Sequence, residues 1–158
     1  MARLKMQQRT SHFFGIGVMH NVHAENIGTL WRSAYIMGAA FIFTVDKKYK
    51  QQSGDVFSAW SRIPLYHYRD LADLKAHLPH AARLIGVEMD ERAVPLHDYR
   101  HPSTGVYLLG SEKHGLTKAA IEACHELVCL PGNFSLNVSV AGSIVMYDRI
   151  GKLETTLP

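Results

Sequence analysis

Apolar residues along this chain come in short runs, each followed by a stretch with a different rhythm. The runs at 13–18, 41–45, 65–68, 84–87, 106–109 and 127–130 are four to six residues long and rich in branched and aromatic side chains. Runs of that length read as buried strands rather than helices. Between them, 27–37 carries Ile27, Leu30, Tyr35 and Ile36 among its apolar positions at helical spacing and ends at Gly38. A helix is predicted near 71–77, closed off by Pro79, and another over 117–124 with Thr117 as its N-cap. A long apolar helix is predicted over 138–150. The stretch 47–61 reads as irregular or partly helical. Strands alternating with helices predict an α/β fold with a parallel sheet covered on both faces. No repeat, low-complexity tract or linker divides the chain, so 1–158 is expected to be a single domain with a basic N-terminal extension at 1–12.

Composition narrows the class. Hydrophobic residues make up 47% of the 158 and charged residues 20%, enough apolar surface to exclude a disordered chain. The net charge of +3 and pI of about 8.9 allow an acidic partner such as RNA without demanding one. Lys47, Lys48, Lys50 and Arg62 form either an RNA-facing surface or a solvated charged loop. Residues 1–10 are polar and basic with no apolar core, unlike a secretory signal. No apolar run approaches the roughly 20 residues needed to span a bilayer. A cytoplasmic protein with no membrane contact is expected, and Cys124 and Cys129 read as free thiols. A zinc site using Cys124, His125 and Cys129 is not expected, because the spacing fits no usual pattern and three ligands do not close a structural site.

Three polar islands follow apolar strands, where parallel α/β proteins place ligand sites. The first is Asn26-Ile27-Gly28-Thr29-Leu30-Trp31-Arg32. Asn26 is a candidate N-cap, and Arg32 is either a surface arginine or a guanidinium aimed at a phosphate or hydroxyl. The second is Leu108-Leu109-Gly110-Ser111-Glu112-Lys113-His114-Gly115-Leu116. Its two glycines outline a tight strand-to-helix turn, but no Gly-Lys-Ser/Thr follows, which argues against a nucleoside triphosphatase. Glu112 would also repel phosphates, so a cationic or neutral ligand fits better. The third is Leu130-Pro131-Gly132-Asn133-Phe134-Ser135-Leu136-Asn137-Val138-Ser139-Val140-Ala141, where Ser135 or Asn137 is placed to cap the last helix. A dinucleotide fingerprint is absent: Gly15-Ile16-Gly17 lies inside the first strand rather than after it.

Together these islands resemble the three signature motifs of the SpoU family, in the SPOUT class of RNA methyltransferases. The first resembles Asn-x-Gly-x-x-x-Arg, the second Leu-Gly-x-Glu-x-x-Gly-Leu, and the third Pro…Ser-Leu-Asn-Val-Ser-x-Ala. The chain departs from the family in a short turn between Pro131 and Ser135, and in Gly142, where alanine is commoner. The resemblance implies a C-terminal trefoil knot, an obligate homodimer with each site near the interface, and S-adenosylmethionine as cofactor. It places Val87, Leu109, Gly110, Leu130, Ser135, Leu136 and Asn137 at the cofactor. A bulky residue at 110 is expected to weaken cofactor binding by blocking close backbone approach.

The resemblance assigns activation of an RNA ribose 2′-hydroxyl to Arg32, either as a base or as a positioning group. Arginine holds its proton to above about pH 12, which favours a phosphate anchor and oxyanion stabiliser. Asn26 would support Arg32, and Glu112 would help organise the site. His20 and His23 are alternative bases or plain structural residues. A single-domain member of this kind resembles enzymes acting on tRNA anticodon-loop riboses. Ribosomal RNA as substrate, or a non-catalytic RNA-binding module of the same fold, are the alternatives.

Overall fold

A computed structural model describes residues 12–19, 22–50 and 58–153. His20, and all of the basic extension but His12, lie outside the described residues. Seven strands form one sheet: β1 (Phe13–Met19), β2 (Phe41–Val45), β3 (Leu65–Tyr68), β4 (Arg83–Val87), β5 (Val94–Pro95), β6 (Thr104–Leu109) and β7 (Glu126–Cys129). Their order across the sheet is β3-β2-β1-β6-β4-β7-β5, and every pairing is parallel. The predicted strands are all present within a residue or two. The edge strand β5 was not predicted, because two residues ending in proline carry no periodicity; proline is tolerated there because an edge strand leaves its nitrogen unpaired.

Four helices cover the sheet: α1 (Ala24–Ile36), α2 (Leu71–Ala76), α3 (Lys118–Ala123) and α4 (Val138–Leu153). Alternation along β1 divides the core. Phe14, Ile16 and Val18 face α1 and α4, meeting Leu30, Trp31, Ala34, Val145 and Met146. On the opposite face Met19, Phe43, Val45 and Leu108 meet Leu74 and Ala120 of α2 and α3. Thr117 caps α3 as predicted, accepting a bond from the Ala120 N–H at 3.1 Å. Asn26 does not cap α1. The helix begins at Ala24 with His23 at the cap, and Asn26 is the third helical residue. Its amide is committed across the fold instead of to its own helix. Gly142 lets α4 approach α1 closely, since a Cβ there would stand 2.4 Å from Leu30 Cδ1.

The edge of the sheet where the strands begin is closed by a buried polar chain. Arg149, on α4, is 2% exposed. Its guanidinium donates to the carbonyls of Pro102 at 2.6 Å and Ser103 at 2.8 Å, and to Tyr107 Oη at 3.1 Å. Its charge also lies 5.1 Å from the centre of the Phe14 ring, within cation–π range. Burial pushes the Tyr107 phenol up to about 12, so its proton is available to His101 Nδ1, 2.6 Å away. His101 Nε2 then donates to Asp148 Oδ2 at 2.8 Å. A neutral imidazole satisfies both contacts. Burial holds the His101 pKa below the usual histidine range, outweighing the pull of Asp148.

Two outcomes are expected. Arg149→Met strands two buried carbonyls and a hydroxyl, and should lower unfolding free energy by about 3 kcal/mol in urea titration. His101 stays neutral in the folded state while the unfolded chain protonates near pH ~6.5. Stability from this group is therefore complete above that pH and declines as pH falls below it. Urea midpoints at pH 7.5 and 5.5 should differ less in His101→Asn than in the wild type.

Candidate functional site

Three neighbouring strands end side by side. Val87 closes β4 and Leu109 closes β6, and the register pairs Val87 with both Leu109 and Val128 of β7. The chain leaving each strand turns over the sheet edge, and the three turns line a cleft that is open to solvent. Val87, Leu109, Gly110, Leu130, Ser135 and Leu136 all line it, as does Glu112. Asn137, also expected at the cofactor, is exposed and does not line the cleft.

Glu112, Asn26 and Asn137 form a directional chain linking the three islands. The Asn26 amide Nδ2 donates to Glu112 Oε1. Asn26 Oδ1 accepts from Asn137 Nδ2 at 3.0 Å. Asn137 Oδ1 in turn accepts from the Ser139 N–H at 2.9 Å and from Ser139 Oγ at 2.6 Å, capping α4. A carboxylate only accepts, so it sets the Asn26 amide, which sets the Asn137 amide. Glu112 also faces the N-terminal turn of α1, where the helix dipole favours negative charge. A further polar contact joins the helices: Ser143 Oγ lies 3.0 Å from Ser33 Oγ.

The turn after β6 closes on itself. Gly115 N–H donates to the Ser111 carbonyl at 2.8 Å, and Gly115 has φ of +63°. A Cβ on Gly110 would stand 2.0 Å from the Gly115 carbonyl carbon and 2.3 Å from the Leu116 nitrogen. The backbone that approaches Gly110 is thus the chain's own. Glu88, one residue beyond β4, lines the cleft and accepts a bond from the Leu116 N–H at 2.6 Å. Sequence reasoning passed over Glu88. The available signal was an acidic residue at the carboxyl end of a central parallel strand. With Glu88 and Glu112 and no lysine, arginine or histidine in the lining, the cleft favours a cationic or neutral ligand.

Arg32 is on the exposed side of α1 and does not line the cleft. His23 is exposed at the start of α1, and Lys47, Lys48, Lys50 and Arg62 are exposed. Cys124 and Cys129 are free, and burial pushes the Cys124 thiol up to about 11. Among the described residues no group of three or more His, Cys, Asp or Glu is arranged to hold a metal, and no helix is long and apolar enough to cross a membrane.

The packing at residue 110 yields a prediction. Gly110→Ala should lower the stability of the ligand-free protein by about 3 kcal/mol, because its methyl meets backbone that has nowhere to move. A thermal melt without any ligand checks this.

Comparison with known proteins identifies the family. A model of the SpoU rRNA Methylase family matches residues 16–147. The chain is 35% identical over 83 residues to the 23S rRNA (guanosine-2′-O-)-methyltransferase RlmB of Acinetobacter baylyi, covering 51% of this chain and 33% of that protein. It therefore spans about a third of that curated relative's length. Among solved structures it is similar to a chain from work on the 2-OH methylation of C/U34 on tRNA. The TM-score is 0.79 at 19% identity, covering 92% of this chain and 99% of that one. It is also similar to an AdoMet-bound rRNA methyltransferase of Sinorhizobium meliloti, with a TM-score of 0.81 at 18% identity, covering 92% of this chain and 59% of that one. These likenesses establish the α/β architecture, and with a family match running through all three motifs, the chain belongs to the SpoU rRNA Methylase family.

Proposed function

We propose that this protein transfers a methyl group from S-adenosylmethionine to a ribose 2′-hydroxyl of RNA. The observation that carries the reading is the cleft over β4, β6 and β7, two of whose walls are the second and third motifs, tied to the first, on α1, by Glu112, Asn26 and Asn137. Its acidic lining suits a sulfonium compound and disfavours a polyphosphate. The Acinetobacter relative is named for the same reaction, and the Sinorhizobium neighbour was solved with AdoMet.

The cofactor supplies an electrophilic methyl group. The chain supplies orientation and exclusion of water. Val87, Leu109, Gly110, Leu130, Ser135 and Leu136 hold the adenosyl group, and Asn137 fixes the turn that carries the last two. Glu112 and Asn26 set the start of α1, from which Arg32 projects. Arg32 anchors an RNA phosphate and stabilises the negative charge that develops on the ribose oxygen as its proton passes to water.

A homodimer is part of this reading. Arg32, Tyr35 and Ile36 share one exposed face of α1, and Val140, Ile144 and Tyr147 share one exposed face of α4. Apolar residues grouped this way beside a functional arginine suit a second copy of the chain, which would bring RNA-binding surface to the cleft. The trefoil knot follows from the family resemblance; that 1–158 forms one domain rests on the single sheet running through the chain, and action in the cytoplasm on an RNA substrate. Transfer RNA is favoured over ribosomal RNA because one neighbour of similar length, matched over 92% of this chain and 99% of its own, comes from work on tRNA.

Incubation with labelled methyl donor and total RNA, followed by mass spectrometry of digested nucleosides, should yield 2′-O-methylated nucleosides. Label on a base, or none on RNA, rejects the reading. Arg32→Ala should bind S-adenosylmethionine nearly as the wild type does by calorimetry, yet turn over about 100-fold more slowly or worse.

A further inference from the structure

Glu88 belongs to none of the three motifs, yet its carboxylate holds the middle one. Its own N–H donates to the Val128 carbonyl at 3.0 Å, which anchors it to β7. Oε1 accepts from the Met89 N–H at 2.9 Å, and Oε2 accepts from the Leu116 N–H at 2.6 Å. Gly115 lies against the same carboxylate: a Cβ there would stand 2.4 Å from Oε2. The turn 110–116 is thus held on one side by Asn26, through Glu112, and on the other by Glu88.

We propose that Glu88 is a positioning residue for the donor site, clamping the 110–116 turn in the shape that receives S-adenosylmethionine. The inference rests on the proposed cofactor and adds to it a specific residue. The Leu116–Glu88 bond joins a backbone donor to an ionised acceptor in a half-buried setting, the stronger class of hydrogen bond. Without it, the turn keeps its internal Ser111–Gly115 bond but loses its tie to β4. Arg32 is on α1, so the effect falls on cofactor binding more than on turnover.

Two conservative variants of the full chain separate this role from simple attraction of a cation. Glu88→Gln keeps length and an acceptor oxygen for Leu116, loses the charge, and leaves the exposed Met89 N–H to water. Glu88→Asp keeps the charge and withdraws it by one methylene, out of reach of Leu116. Positioning predicts that Glu88→Asp raises KM for S-adenosylmethionine about tenfold with kcat within about threefold, while Glu88→Gln stays within about threefold on both. It also predicts faster hydrogen exchange at the Leu116 amide in Glu88→Asp than in Glu88→Gln, with no ligand present. The reverse order in KM, a loss confined to kcat, or equal Leu116 exchange in both variants overturns the proposal. A wild-type protein that binds no S-adenosylmethionine by calorimetry would instead sink the functional reading, leaving the exchange measurement to judge the clamp.

Discussion

The structure of the site depends on one side chain amide, that of Asn26. It donates to a carboxylate on the turn after β6 and accepts from the asparagine that caps α4. Segments more than a hundred residues apart in the chain thereby share one hydrogen-bonded line. Each polar group in that line has its orientation set by the one before it, starting from a carboxylate that only accepts. The turns after β6 and β7 would otherwise be free to vary independently at the rim of the sheet. Bound in this way, they form walls of one cleft.

The two ends of the sheet are treated differently. Where the strands begin, Arg149, Tyr107, His101 and Asp148 satisfy one another and the carbonyls of the entering chain. Where they end, backbone turns and two carboxylates surround open space. Parallel strands carry this asymmetry naturally, since all their carboxyl ends lie at one edge. A buried cation at one rim and an acidic cleft at the other therefore divide holding the fold together from binding.

The third turn is the most exposed part of the cleft wall. Phe134 is 87% exposed, and Leu136 is open as well. Beside them, α1 and α4 present apolar side chains outward although their inner faces are fully packed. An apolar surface continuing from the cleft mouth to the helix pair is what a homodimer built around the site would cover.

Much of this was legible in the residues. Short apolar runs marked six of the seven strands, Thr117 marked the start of α3, and the second and third polar islands marked two walls of the cleft. These features are local: they depend on periodicity and on the residue types that turns and caps require. Three things were decided only by the folded chain. Asn26 reads locally as a helix cap, yet its amide faces Glu112 and Asn137, so long-range bonding overrode local preference. Gly110 reads as a place for a ligand to approach, yet the atoms nearest to it are those of Gly115 and Leu116. Glu88 has no motif around it and acquires a role because β4 happens to end beside the β6 turn. Sequence periodicity determines what each segment becomes; which distant groups meet is set by strand order, which no local pattern encodes.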